Sequence, residues 1–154
     1  MSRALLLVAL VAAATVLPGC TSSGGAKDLP PEWHGRDVEA SGWANRTVKA
    51  GWSFSLEYPL AEGQTIAWDW VAVTDLRITF TLYWVSNGIP LKVGEQVNNE
   101  GRDHYTATQD GSYHFVWDFD KAPKDTMLFY KMPEGGIHRD YPPGFGPGCA
   151  LLAC

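Results

Sequence analysis

The chain of 154 residues carries 12 Lys and Arg against 17 Asp and Glu, a formal net charge of −5. This balance argues against a nucleic-acid-binding protein, because such proteins use clustered Lys and Arg to displace phosphate counterions. Seven Trp, six Tyr and six Phe supply the volume of a hydrophobic core, which excludes a disordered or collagen-like polymer. The length suits a single folded domain.

Residues 1–19 have the pattern of a cleaved signal peptide. Arg3 supplies a positive charge near the start, and Ala4–Leu17 consists almost wholly of Ala, Val and Leu. This run is shorter than the ~20 apolar residues that a membrane-spanning helix needs. No later stretch approaches that length, since the best candidate, Trp68–Val73, is interrupted by Asp69. We therefore expect the chain to be exported and not to cross the membrane.

The segment Leu17-Pro18-Gly19-Cys20 resembles the lipobox of prokaryotic lipoproteins at Leu17, Gly19 and Cys20. The resemblance implies that the Cys20 thiol takes up a diacylglyceryl group and that cleavage makes Cys20 the new N-terminus. An ordinary secretory peptide with a chance Cys is the alternative. Two acyl chains would hold the protein firmly on a membrane, since each buried methylene contributes ~0.8 kcal/mol. We expect a lipid anchor on the extracytoplasmic side of a cell membrane or envelope.

Residues 20–36 predict a flexible tether, because they are rich in Ser, Gly and Pro and lack apolar periodicity. The body over residues 37–133 follows the two-residue period of β-strands. Its clearest strands are Ile78–Trp84 and Tyr113–Phe119, where aromatic and aliphatic residues occupy alternate positions. About eight short strands, with turns every ~8–12 residues, predict an all-β fold, an antiparallel β-sandwich. The other predicted strands are Val38–Trp43, Trp52–Tyr58, Thr65–Val73, Pro90–Val97, His104–Ala107 and Thr126–Lys131.

Tight turns are predicted at Asn87-Gly88 and Asp110-Gly111, because these residue pairs tolerate positive φ. The second turn would make the strands that carry His104 and His114 neighbours. Residues 134–154 are rich in Pro and Gly and are expected to form an irregular tail that wraps the sandwich or extends from it.

A further pattern links Trp52–Phe54, Ile78–Phe80, Tyr105–Asp118 and Leu128–Lys131. An aromatic-rich strand that follows a Gly and ends in Trp-Asp, with a later Leu-x-Tyr strand, resembles the GOLD domain, the β-sandwich of the p24/emp24 cargo-receptor proteins. Phe119 stands where that family often has Asn. The resemblance implies a compact sandwich, GOLD-like or jelly-roll-like, that serves as a protein-interaction or ligand-holding module without catalytic residues.

No motif for catalysis or metal binding appears. A metal site needs three or four converging His, Cys, Asp or Glu ligands, for which His104 and His114 are the first candidates. Strand alternation puts His114 opposite its aromatic neighbours, so both residues are expected to be solvent-facing. The sequence has no Gly-x-Ser-x-Gly elbow and no Gly-rich phosphate loop. We expect no catalytic residue, no metal and no cofactor, and hence no enzyme.

Trp68, Asp69 and Trp70 are the only residues that suggest a ligand site. Both Trp side chains should point to one face of a strand and Asp69 to the other, which favours a core pair with a solvated carboxylate. The alternative is a carbohydrate- or small-ligand-binding platform, in which exposed Trp rings stack on the ligand and Asp69 accepts hydrogen bonds.

Two cysteines remain once Cys20 is assigned to lipid. Cys149 and Cys154 could form a disulfide in an oxidising compartment, although a loop this short would stabilise little. Free or intermolecular thiols are the alternative.

These observations together favour a membrane-anchored, non-catalytic β-sandwich that binds a protein partner and no nucleic acid. Binding of a carbohydrate or small ligand through exposed Trp residues is the alternative function.

Overall fold

The computed structural model describes Val38 and residues 42–145 of the chain. These residues form nine strands, and none of them belongs to a helix that could span a membrane. In chain order the strands are β1 (Ala44–Val48), β2 (Ser53–Leu60), β3 (Thr65–Ala72), β4 (Ile78–Ser86), β5 (Ile89–Asn98), β6 (Glu100–Thr106), β7 (Gly111–Asp118), β8 (Thr126–Lys131) and β9 (Ile137–Tyr141).

The strands form two sheets that pack face to face. Sheet A has the order β1-β8-β3-β6, and sheet B has the order β5-β4-β7-β2-β9. All pairings within the two sheets are antiparallel. The predicted antiparallel β-sandwich is therefore confirmed, and its edge strands are β1 and β6 in sheet A and β5 and β9 in sheet B.

Aromatic side chains fill the space between the sheets. Trp70 of β3, Phe80 of β4 and Trp117 of β7 are at most 2% exposed. The ring centroid of Phe80 lies 5.2 Å from that of Trp117 and 5.7 Å from that of Trp70. These separations lie in the range where aromatic pairs attract each other. The alternation that predicts β4 and β7 thus marks the inner face of sheet B.

The β4–β5 hairpin turns at Asn87-Gly88, as predicted. Asn87 has a φ of 52° and Gly88 a φ of 77°, the backbone conformation that Asn-Gly pairs adopt in two-residue hairpins. Further along the hairpin the register shifts between Leu82 and Tyr83, so that Val93 has no partner across β4. Such a bulge bends the strand and re-aims its side chains.

The strands at the two ends of the body differ from the predicted ones. β1 begins at Ala44, after the segment Val38–Trp43 that the sequence predicts as a strand, and Val38 instead packs with Val71 and Phe129. β9 lies within the segment predicted as an irregular tail and pairs with β2. Only Tyr141 of β9 is buried, because an edge strand buries little surface. The sequence of β9 therefore lacks the apolar alternation by which a strand is predicted.

The outer face of sheet B is covered at its centre. His114 is 7% exposed and Val116 is 4% exposed, so the prediction that His114 faces solvent is wrong. The physical reason is that β7 is the central strand of five and has β4 and β2 on either side. The prediction that the Asp110-Gly111 turn makes β6 and β7 neighbours is also wrong, because β6 pairs with β3 in sheet A.

Candidate functional site

Trp68 and Trp70 belong to the core. Trp68 is 6% exposed, and its ring centroid lies 5.4 Å from that of Phe115 in sheet B. Trp70 is fully buried and lies against Phe80 and Trp117. This burial agrees with the interpretation of the two residues as a core pair. Trp70 presents no stacking face, and Trp68 presents only a small part of its surface, which lines two pockets.

Asp69 is a largely buried member of an ion pair. It is 8% exposed, and the Arg102 Nε donates a hydrogen bond of 2.7 Å to its Oδ2. A second Arg102 nitrogen donates to the same oxygen. The prediction of a solvated carboxylate is wrong, because a neighbouring strand supplies a cation that compensates the buried charge.

The three cysteines lie outside the described residues. Lipidation of Cys20 and a bridge between Cys149 and Cys154 therefore stay predictions. The candidate metal ligands do not converge, since His104 is exposed on sheet A and His114 is buried on sheet B. In the part of the chain that the structure describes, no group of three or more His, Cys, Asp and Glu residues could hold a metal ion.

A polar cluster around the buried side chains of Glu57 and His114 lies on the outer face of sheet B. Arg139 Nε lies 2.5 Å from Oε1 of Glu57, and the Tyr141 hydroxyl donates to the same oxygen at 3.4 Å. His114 Nδ1 lies 3.6 Å from that oxygen, and its Nε2 lies 3.0 Å from the Ser112 hydroxyl. Hydroxyl, imidazole and carboxylate follow one another as in hydrolytic triads, but 3.6 Å is longer than a hydrogen bond. The contacts to Arg139 and Tyr141 instead tie β9 to β2.

Burial favours the neutral form of the imidazole in this cluster. Burial lowers the pKa of His114 below its ordinary value of 6.5, the Glu57 carboxylate opposes this shift, and the Arg139 guanidinium adds to it. A neutral His114 leaves Arg139 as the cation that balances Glu57. Losing β9 would therefore leave a buried carboxylate without its cation, which is costly.

Exposed apolar surface is concentrated on β5. Ile89, Leu91, Val93 and Val97 are 52%, 49%, 39% and 53% exposed. β5 is also the longest strand, with ten residues, and it lies at the edge of sheet B. One side of its backbone therefore lacks a neighbouring strand.

The other edge strands are protected by charge or by their short length. β9 contains Arg139 and Asp140, and β6 contains Arg102 and Asp103. β1 has only five residues, and its Arg46 forms an ion pair with Asp140. Charged and short edge strands resist pairing with other chains. β5 also contains Pro90, Lys92 and Glu95, but among the described edge strands it is the longest and exposes the most large apolar side chains.

A cleft of about 250 Å³ opens between the edge strands β5 and β6, and we call it the edge cleft. The core residues Trp68, Phe80 and Leu82 line it from inside the sandwich, and Val93 and Gly94 line it from β5. Its other lining residues are Glu95, Gln96, Asp103, His104 and Tyr105. An apolar side chain that entered here would contact the core directly.

A second pocket, of about 460 Å³, lies beside the end of β8, and we call it the strand-gap pocket. Trp68 and Met132 line it with apolar surface, whereas Asp69, Arg102 and Lys131 line it with charge. The structure thus brings Trp68 and Asp69 to one pocket and leaves Trp70 in the core. Its other lining residues are Gly42, Ala67, Asp103 and Pro133.

The sequence alone identifies neither surface. Ile89, Leu91 and Val93 do give a signal, since they alternate along β5, but a two-residue period does not show whether the apolar face is covered. The strand-gap pocket depends on where β8 leaves its partner, and the signal for this is Pro133, which cannot donate to a ladder.

Comparisons with known proteins add no assignment to this geometry. No protein-family profile matches the chain, and no curated protein matches it significantly.

Proposed function

We propose that this chain is a lipid-anchored extracytoplasmic protein whose non-catalytic β-sandwich binds a protein partner along β5. The observation that carries the proposal is the ten-residue apolar edge strand, with four large side chains at 39–53% exposure. An exposed, long, apolar edge of this kind pairs with another chain unless something covers it. A partner strand is the natural cover.

Strand addition explains how affinity and selectivity would arise. Ten residues extend over ~33 Å, so a partner segment of similar length forms main-chain hydrogen bonds with the free side of β5, except where Pro90 lacks an N–H and where the bulge at Val93 interrupts the strand. A side chain of that segment enters the edge cleft beside Gly94 and contacts Phe80 and Leu82. Main-chain pairing supplies affinity, and the cleft selects the apolar residue.

The charges on β5 indicate the chemistry of the partner segment. Lys92 Nζ lies 3.1 Å from Oε2 of Glu95, so the two charges of the strand compensate each other. A segment with a strong net charge gains nothing from such a surface. We expect an extended, uncharged partner segment rich in aliphatic and aromatic residues.

The resemblances found in the sequence support the same proposal. The lipobox ending in Cys20 indicates an anchor, and residues 21–36 have the composition of a tether long enough to hold the sandwich off the lipid surface. The GOLD resemblance implies a β-sandwich used for protein interaction, and the fold is an antiparallel β-sandwich.

The anchor is tested by replacing the lipid-accepting residue. Cys20→Ser should leave the precursor without lipid and either shift the protein out of the detergent-extracted membrane fraction or stall its processing, because the acyl chains are the proposed anchor. Mass spectrometry of the N-terminal peptide and fractionation check this. A variant that is processed and retained like the wild type would show that the lipoprotein assignment is wrong.

The partner site is tested by photo-crosslinking in cells with the full chain. A photoreactive amino acid at Leu91 should give a discrete higher-mass adduct, whereas the same amino acid at Ile137 on β9 should not. Ile137 is a matched control, because it is 54% exposed on the opposite edge of the same sheet. Identical patterns at the two positions would contradict the proposal.

Gly94 offers a variant that blocks the edge cleft without straining the fold. No atom lies within 4 Å of the position that a Cβ would take there. The Cβ of Gly94→Phe therefore meets no clash, and its ring should abolish the Leu91 adduct; the melting temperatures of Gly94→Phe and Gly94→Ala serve as the stability control. An undiminished adduct would show that no partner side chain enters the cleft.

A further inference from the structure

The strand-gap pocket exists because β8 leaves sheet A early. β8 pairs with β3 only from Asp69 to Ala72, opposite Lys131 to Leu128. The first half of β3 is paired on its other side with β6, where Thr65 faces Thr106. No described strand pairs with Thr65–Trp68 on the β8 side, and the pocket lies there.

The backbone N–H and C=O groups of Ala67 point to this side of β3. Val73 N–H donates to the Met127 carbonyl on β8, whereas Ala72 N–H donates to the Asn99 carbonyl on the opposite side. Because the direction of N–H and C=O alternates along a strand, the backbone groups of Ala67 point to the β8 side, as those of Val73 do.

β8 does not satisfy these groups. Continuing the register beyond Asp69 and Lys131 would put Pro133 opposite Ala67, and a proline has no N–H to donate. The Pro133 carbonyl instead accepts a hydrogen bond of 2.7 Å from the Tyr58 hydroxyl in sheet B. β8 therefore leaves Ala67 with one donor and one acceptor directed into the strand-gap pocket.

The side chains around the pocket add an apolar surface and a cation. Trp68 and Met132 lie on the core side and form its apolar lining. Lys131 makes no ion pair with any described residue, whereas the guanidinium of Arg102 is already engaged by Asp69. Asp103 is an exposed carboxylate whose Oδ1 accepts from the His104 backbone N–H at 2.8 Å. Among the described lining residues, the Lys131 ammonium is therefore the cation that no described carboxylate engages.

We infer that the strand-gap pocket binds an apolar amino-acid residue that carries an amide and a free carboxylate. Ala67 N–H donates to the acyl carbonyl of the ligand and Ala67 C=O accepts its amide N–H. The apolar side chain packs on Trp68 and Met132, and the carboxylate pairs with Lys131. The volume of about 460 Å³ suits a ligand of this size. The same chemistry is present in a free N-acyl amino acid and in the C-terminal residue of a peptide.

Matched probes test the role of the carboxylate. The affinity of the full chain for N-acetylphenylalanine and for its amide, which differ only in the charged group, is measured by calorimetry. The acid should bind about tenfold more tightly, as expected for one hydrogen bond to a charged group. Lys131→Gln should remove this difference, whereas Lys121→Gln, at a distant exposed lysine, should preserve it. Failure of the acid to bind at millimolar concentration, or equal affinities for acid and amide in the wild type, would overturn the inference.

A steric variant separates this pocket from the edge cleft. Ala67→Phe should abolish binding of N-acetylphenylalanine and leave the Leu91 adduct unchanged. Gly94→Phe should preserve binding of N-acetylphenylalanine and abolish the Leu91 adduct. Unchanged binding in the Ala67 variant would overturn the assignment to the strand-gap pocket, without bearing on β5. The peptide Gly-Gly-Gly-Gly-Phe distinguishes the sources: tighter binding than that of N-acetylphenylalanine assigns a peptide C-terminus, and equal or weaker binding assigns the free compound.

Discussion

Trp117 lies at the centre of the core, so its removal is a direct test of how the sandwich is held together. Its side chain is fully buried. Its ring centroid lies 5.2 Å from that of Phe80 in the same sheet and 6.0 Å from that of Tyr130 in the opposite one. It also stacks on Phe54, at 5.6 Å and an interplanar angle of 19°. Trp117→Ala therefore removes contacts to both sheets at once.

The expected loss is ~3–5 kcal/mol, since a buried Trp replaced by Ala loses its burial and leaves a cavity. This is a large share of the ~5–15 kcal/mol that stabilises a typical domain. Trp117 Nε1 has no hydrogen-bond partner, so Trp117→Phe also removes an unsatisfied buried donor. We expect that variant to cost below ~2 kcal/mol, because the relief of the donor offsets part of the lost contact area.

Chemical denaturation of the wild type and the two variants measures these losses. The midpoint should fall in the order wild type, Trp117→Phe, Trp117→Ala, while the slope stays the same. Val116→Thr on the opposite face of β7 should also destabilise, by ~1–3 kcal/mol, because Val116 is only 4% exposed and the new hydroxyl would be buried. A Trp117→Ala protein as stable as the wild type would refute the core assignment.

Two further predictions concern stability. Burial keeps the pKa of His114 below 6.5, so the unfolded chain binds a proton more readily than the folded chain does. The free energy of unfolding should therefore fall as the pH drops below 6.5. Denaturation curves recorded from pH 7 to pH 5 should show a weaker pH dependence for His114→Gln than for the wild type. Gly101→Ala should cost ~1–3 kcal/mol, because its Cβ would lie 2.6 Å from Trp70 Nε1; Gly94→Ala, which meets no atom within 4 Å, should change the melting temperature little.

The features that the sequence predicts well are those set by local pattern. Alternation of aromatic and polar residues predicts β4 and β7, and the Asn87-Gly88 pair predicts the hairpin turn between β4 and β5. Thr126–Lys131 is predicted with the bounds that the structure shows. Each of these features depends only on residues that are close in sequence: a strand with two different faces, or a turn that needs positive φ.

The features that it misses depend on distant neighbours. β9 pairs with β2, and its Arg139 and Tyr141 contact Glu57, more than 80 positions earlier in the chain. Asp69 is buried because Arg102 lies on the adjacent strand, and His114 is buried because β7 occupies the middle of sheet B. Alternation shows that a strand has two different faces, but only the strand order shows which faces are covered.

The most direct test of the proposed function is the size of the complex that the full chain forms. Membranes are extracted in a mild detergent, and the wild type, Leu91→Lys and Ile137→Lys are compared by native electrophoresis. A lysine at position 91 replaces an exposed apolar side chain with a charge that β5 does not compensate, and it should prevent pairing. We predict that the wild type and Ile137→Lys migrate in a larger complex, while Leu91→Lys migrates as the single chain. A complex that persists in Leu91→Lys, or a wild type that migrates as the single chain, would contradict binding along β5.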